Sequence, residues 1–402
     1  MDSLSPNIEH SSPHYFKKIA QCLREEHIAQ PTLIIDKQAF DHNLTLLSAL
    51  SKGLKFRLVA KSLPSLALID YVQGFMNSRQ VMSFHLPFIK LICQSLPQAD
   101  VLVGKPMTAI GVEQFYRWYE TQTIAFQPAQ QLQWLVDSLD RLKAYEAIAK
   151  STIQPLQINL EIDVGLHRGG ITCLEEFEQC LLFLQRSEHL SFSGLMGYEA
   201  HIHKVPSFLG GPNKAAEKTA ARYAQFLEVM EFIVGSRDRY CINTGGSTTF
   251  NLYQGRGLAN EIACGSLLLK PSDFDLDVLR EFKPALFIAT PILKTITKPE
   301  LPGVEKISPL LRTLGVLPQR ACFIYGGNWM ARPIYPRHSK LFNAFGHSSN
   351  QEMYTLPNKP IDDETYLFMR PTQSEALMLG FGDIAIYEHG KIIDWWPVFN
   401  AS

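Results

Sequence analysis

From residue 56 onward the chain repeats one pattern: a short apolar run, a few polar residues, then a stretch whose apolar positions recur at helical spacing. Strand-like runs fall at 56–61, 80–84, 100–104, 133–138, 156–163, 193–198, 240–244 and 261–269, with helical stretches between them, for example 139–150 and 215–234. Eight strands alternating with helices predict an α/β fold, a (β/α)8 TIM-type barrel. The competing architecture is a doubly wound open sheet. It is less well supported, because no Gly-x-Gly-x-x-Gly turn follows the first strand.

The pattern differs on either side of this block. Residues 1–30 read as a lead-in with a short helix over 15–27. The run 31–36 reads as a strand closing on an N-cap aspartate, Asp36, and Phe40, Leu44 and Leu47 then mark one face of a helix. After about residue 275 prolines become frequent and the apolar runs are short and turn-bounded, at 286–289, 321–325, 366–369 and 384–387. That texture predicts a smaller β domain. The expected division is a lead-in at 1–30, the barrel at 31–272 and the β domain at 273–402.

Barrel enzymes build their sites at the carboxyl ends of the strands, and here those ends are polar. The first expected strand ends on Lys61, and the fourth on Asp137 and Ser138. The fifth leads into Asp163, Gly165, His167 and Arg168, and the sixth into Tyr198, Glu199, His201 and His203. The seventh runs into Thr244-Gly245-Gly246-Ser247-Thr248 and the eighth into Gly265-Ser266. Lys61 has two readings, an ordinary solvated lysine or a Schiff-base lysine with an activated amine. The glycine-, serine- and threonine-rich runs also have two, plain turns or an anion nest of amides and hydroxyls. In register with the last two strands of a barrel, where phosphate is often bound, the nest is favoured.

A nucleophilic amine on one strand and a phosphate nest on two others suit pyridoxal phosphate, which needs both. On this reading Arg168 meets the cofactor's phenolic oxygen and Tyr198 orients its ring. Arg168 could instead pair with Asp163 or Glu161, and Tyr198 could be packing at the barrel end.

The sequence resembles the fold-type III pyridoxal-phosphate enzymes, in the D-threonine aldolase and D-serine dehydratase branch, which share a barrel with alanine racemase. The resemblance rests on 31–33 with Asp36, on Val59-Ala60-Lys61-Ser62 and on Glu161-Ile162-Asp163-Val164-Gly165 with Arg168-Gly169-Gly170. It continues through Gly197-Tyr198-Glu199-Ala200-His201, the run 244–248 and Gly265-Ser266. It implies Lys61 as the lysine that holds the cofactor, Arg168 and Tyr198 beside it, and Thr244, Gly245, Gly246, Ser247, Thr248, Gly265 and Ser266 around the phosphate. It also implies a C-terminal β domain across the barrel mouth and a homodimer.

One departure bears on the chemistry. Lyases of that branch carry a metal in the last domain, in a Glu-Glu-His and His-x-Cys-Pro context, whereas here the stretches read Gln373-Ser374-Glu375-Ala376 and Asp394-Trp395-Trp396-Pro397. An aspartate and a tryptophan do not make a three- or four-ligand site, so no metal site is expected. His338, His347 and His389 lie nearby without ligand spacing. Acid/base work on a β-hydroxyl then falls to His201 or His203, or to Glu375 or Asp394. A lyase acting on a D- or β-hydroxy amino acid is the first expectation. An amino-acid racemase or epimerase, with Lys61 and a second base, is the alternative. A non-catalytic cofactor carrier fits less well, because carriers are bare barrels and this chain adds a β domain.

Composition narrows the partners. The net charge is −1, which gives no electrostatic reason for a nucleic-acid partner. No window approaches a membrane span, and the polar residues 1–14 do not read as a signal peptide. Seven scattered cysteines without a Cys-x-x-Cys fit a reducing compartment, and a cytoplasmic protein is expected.

Overall fold

In a computed structural model of the chain, residues 12–253, 255, 257–361 and 363–400 are described. Eight parallel strands close into a barrel. They are β2 (Lys55–Val59), β3 (Gln80–Ser83), β4 (Asp100–Val103), β5 (Leu132–Val136), β6 (Leu156–Ile162), β7 (Leu190–Gly197), β8 (Cys241–Thr244) and β9 (Glu261–Cys264), preceded in the chain by β1 (Thr32–Asp36). β2 pairs with β9, Leu58 opposite Cys264, which closes the ring. The expected barrel and all eight of its strands are present.

Helices cover the strands as their spacing predicts. Leu139–Thr152 starts at Ser138, whose hydroxyl accepts from the Arg141 amide, and buries Leu142, Tyr145, Ile148 and Ala149. Gly211–Val234 buries a stripe from Ala215 to Met230 at spacings of three and four.

The barrel interior is layered. Near the amino ends of the strands the fully buried Arg57 binds Glu261 at 2.5 Å and Asp100 at 3.1 Å, and donates to the Val81 carbonyl. Above it lies an apolar layer of Met82, Leu102, Leu135, Met196 and Ala263, on which Val59, Phe84 and Tyr198 rest. The polar ends expected from the sequence stand above this floor.

The barrel and the second unit divide differently from the expected boundaries. Leu44–Gly265 forms the barrel unit, and residues up to Asn43 join Ser266–Val398 in the other. β1 is fully buried, yet it pairs antiparallel with β10 (Leu286–Thr297) and parallel with β15 (Ile384–Glu388), not with a barrel strand. The remaining strands of that mixed sheet are β11 (Arg320–Tyr325), β12 (Ala331–Tyr335), β13 (Gln351–Thr355), β14 (Tyr366–Pro371) and β16 (Lys391–Trp396). β12, β13 and β16 were not expected. β12 contains a proline, β13 begins on Gln351-Glu352, and β16 is largely exposed, so none shows the apolar run of a buried strand. The N-terminal helix Pro13–Glu25 forms as expected and packs Phe16, Ile19 and Leu23 against Ile34, Phe287 and Phe368 of this sheet.

Candidate active site

Lys61 does not end its strand. β2 stops at Val59, and Ala60–Ser62 form one tight 3-10 turn. The turn sets the lysine at the carboxyl end of the barrel, half-buried, with Nζ 4.7 Å from the centre of the Phe84 ring. An aromatic face beneath an ammonium steadies it. Phe84 was not singled out from the sequence, although it directly follows β3.

The loop after β8 is built on a buried acid. Glu199 is 0% exposed. Its carboxylate accepts from the Thr244 hydroxyl at 3.0 Å and the Thr249 hydroxyl at 2.5 Å. The Thr249 hydroxyl in turn accepts from the Gly246 amide at 2.9 Å. Burial raises the Glu199 carboxyl above its ordinary value, against bonds from Thr249, Thr244, Tyr253 and the Gly245 amide. The His203 Nε2 donates to the Thr248 carbonyl at 2.7 Å, tying the far side of the loop.

Two glycines bring these parts together by lacking a side chain. A Cβ on Gly246 would stand 2.9 Å from the edge of the Tyr198 ring, so the ring lies directly on that backbone. A Cβ on Gly265 would stand 2.8 Å from both the Val59 carbonyl oxygen and the Ser62 Cβ. The loop after β9 is therefore pressed against the turn that carries Lys61. The Gly265 amide also donates to the Ser247 hydroxyl at 3.4 Å. Lys61, Ser247 and Gly265 thus share one end of the barrel, the amine beside two glycine- and hydroxyl-rich loops. Ser266 opens the short helix Ser266–Leu269 that follows.

The loops after β6 and β7 hold further polar ends. Asp163 accepts from the Gly165 and His167 amides at 2.9 and 3.1 Å and contacts His167 Nδ1 at 2.7 Å. Burial opposes its charge, but these bonds prevail and hold the carboxyl below its ordinary value. Asp163 is therefore occupied by His167. The Arg168 guanidinium lies over the Tyr198 ring, 5.1 Å from its centre. Glu161 is raised by burial and by Asp137, against the pull of Arg168 and Arg141. His201 packs against Gly165 and Thr219, with Nε2 3.4 Å from the Thr219 hydroxyl. Burial, and then His167, lower its pKa, against Asp163. Its Nδ1 is buried with no hydrogen-bond partner among the described residues.

Most of the expected site residues thus converge on one end of the barrel. Thr244 takes another part: it is 0% exposed and its hydroxyl is spent on Glu199, so it supports the loop from below. Thr249 was missed. Thr249 lies one residue beyond the Thr-Gly-Gly-Ser-Thr run, and its hydroxyl matters only through an acid on another strand. The opposite end of the barrel holds a polar cavity of about 270 Å3 lined by Lys55, Gln80, Asp100, Gln133 and Arg239 among others, and none of the expected site residues lines it.

In the second unit both Asp394 oxygens are engaged, one by the Trp396 indole at 2.7 Å and one by the Trp395 amide at 2.8 Å. His347 contacts the buried Glu352 at 2.8 Å. Among the described residues no group of three or more histidine, cysteine, aspartate or glutamate side chains is arranged to hold a metal ion. Asp394 is a lone carboxylate with both oxygens engaged, and Trp396 offers no metal ligand.

The fold is shared with known proteins. Residues 35–273 match the family model described as alanine racemase, N-terminal domain. The 3-hydroxy-D-aspartate aldolase of Paracoccus denitrificans (strain Pd 1222) is 23% identical over 306 residues, covering 70% of this chain and 72% of that protein. The crystal structure of D-threonine aldolase from Filomicrobium marinum superposes with a TM-score of 0.73 at 14% identity, covering 92% of this chain and 96% of that one. D-threo-3-hydroxyaspartate dehydratase from Delftia sp. HT23 gives a TM-score of 0.69 at 14% identity, over 92% and 98%.

Proposed function

The chain belongs to the alanine racemase N-terminal domain family, and from that premise we propose that it is a pyridoxal-phosphate-dependent lyase acting on a D- or β-hydroxy amino acid. The observation that carries this reading is the packing of the Lys61 turn against Gly265, with Ser247 bonded to the same residue. It supports one pocket with an amine and an anion cradle, the two features this cofactor requires. Pyridoxal phosphate, when bound, supplies an electron sink that acidifies the α-carbon of an amino acid.

The chain's own groups have distinct tasks in this reading. The Lys61 amine holds the cofactor and moves the α-proton. Ser247, Thr248, Gly265 and Ser266 receive the phosphate, on a backbone shaped by Gly245 and Gly246. Tyr198 would orient the cofactor ring, and Arg168, stacked on Tyr198, would supply positive charge there. His201, whose pKa burial lowers, is the candidate acceptor for a β-hydroxyl proton. The named relatives, two aldolases and a dehydratase, act on D-β-hydroxy amino acids, which favours lyase chemistry over racemisation.

The remaining expectations belong to the same proposal. A homodimer is proposed from the family. Among the described residues no helix is long and apolar enough to cross a membrane. All seven cysteines are free, which supports a cytoplasmic setting.

A panel of D- and L-β-hydroxy amino acids, assayed for aldehyde and keto-acid release, tests the activity. Release from one or a few D-substrates is expected. Inversion at the α-carbon without release would replace the lyase with a racemase.

A further inference from the structure

We propose that Glu199 is the positioning residue of the anion loop after β8, acting through Thr249 to fix the phosphate-binding backbone. This rests on the cofactor reading above and deepens it. Glu199 touches no expected ligand position itself. It lies beneath the loop, fully buried, and draws in the two hydroxyls that flank it, Thr244 at the start and Thr249 at the end.

A carboxylate in such a place is costly unless its oxygens are filled. They are filled: donors come from Thr244, Thr249, Tyr253 and the Gly245 amide. Two of these four donors, Gly245 and Thr249, belong to the loop between β8 and Phe250, and Thr244 is the last residue of β8. The fourth, Tyr253, follows on the next turn of chain.

Thr249 is the relay. Its hydroxyl has one proton to give and two lone pairs. The proton goes to Glu199 at 2.5 Å, which leaves a lone pair aimed at the Gly246 amide, 2.9 Å away. The Thr249 and Phe250 amides both close onto the Gly246 carbonyl, at 3.0 and 2.9 Å. Gly246 is thereby fixed from both its amide and its carbonyl, directly under the Tyr198 ring. Only Ser247 and Thr248 remain at the crest of the loop, and Ser247 reaches across to Gly265. The acid therefore decides which groups face the anion.

Glutamine at 199 keeps the size and one acceptor oxygen but puts an NH2 where a threonine hydroxyl donates, so that hydroxyl must turn from donor to acceptor and the bonding that fixes the loop is rearranged. Valine at 249 keeps the shape and removes the relay. Serine at 249 keeps the hydroxyl.

The test measures binding to the full-length apo protein in three ways: pyridoxal phosphate by absorbance, pyridoxal by absorbance, and inorganic phosphate by the shift in Tm. Glu199→Gln and Thr249→Val are expected to lose about tenfold or more in affinity for pyridoxal phosphate. They should lose the phosphate-induced rise in Tm while binding pyridoxal as the parent does, and Thr249→Ser should restore both. Unchanged phosphate affinity in both variants overturns the proposal. Equal losses for pyridoxal and pyridoxal phosphate also overturn it, since that is a merely structural effect. If the parent binds neither vitamer but inorganic phosphate raises its Tm, and Glu199→Gln abolishes the rise, the loop assignment stands and the cofactor reading fails. If inorganic phosphate leaves the parent unmoved, the loop assignment falls too.

Discussion

Asp163 is the residue whose charge the fold holds most visibly. Burial alone would raise its carboxyl, but the Gly165 and His167 amides and the His167 ring hold it low. A depressed folded pKa contributes stability above the ordinary carboxylate value, and that stability is lost as pH falls through the folded value. Asp163→Asn should therefore be less stable than the parent at about pH 6, with the difference shrinking through the carboxylate range. Denaturant midpoints at a series of pH values check this. Arg57 carries the second prediction at this scale. It is 0% exposed and bonded to Glu261 and Asp100. Glu261→Gln strands part of a buried charge and should cost about 3–5 kcal/mol in urea unfolding, whereas Arg57→Met with Glu261→Leu should cost less. At the residue scale the sequence is a partial guide. Lys61, Arg168, Tyr198 and Glu199 stand out because they are polar at strand ends, but the part Glu199 plays, like that of the buried Arg57, comes from partners on other elements.

The elements of the site are held together by close backbone approach, and this is where steric predictions belong. At Gly265 the obstacles are a backbone carbonyl and the Ser62 Cβ, both at 2.8 Å. Neither can swing aside, so Gly265→Ala must displace the Lys61 turn and should cost about 1–3 kcal/mol. At Gly246 the obstacle is the edge of the Tyr198 ring, which can tilt. Gly246→Ala should cost less stability and show itself in the cofactor's absorbance band. Thermal unfolding and spectra of the two variants separate these outcomes. The barrel strands were legible because both faces of each are covered, which leaves continuous apolar runs. The strand ends were less so: β2 and β9 stop earlier than their apolar runs because the next residues turn into short helices. β12, β13 and β16 lack such runs and escaped notice.

The whole molecule follows a simple rule, in which neighbours in sequence form the barrel and the chain's two flanks share a second sheet. Residues 31–36 read correctly as a strand, but apolar pattern tells burial, not partner. Only the register of Thr32 opposite Ala289, and of Leu33 beside Ile384, shows that β1 belongs with the C-terminal strands. The family match over residues 35–273 spans both units for the same reason. The central claim, that the barrel is organised around Lys61 as a cofactor lysine, is tested most directly by reducing the protein with borohydride after reconstitution with pyridoxal phosphate and mapping the label by peptide mass. The account predicts a yellow protein, a pyridoxyl group on Lys61 and its loss in Lys61→Ala. A protein that stays colourless, or a label that maps to another lysine and survives Lys61→Ala, would contradict it.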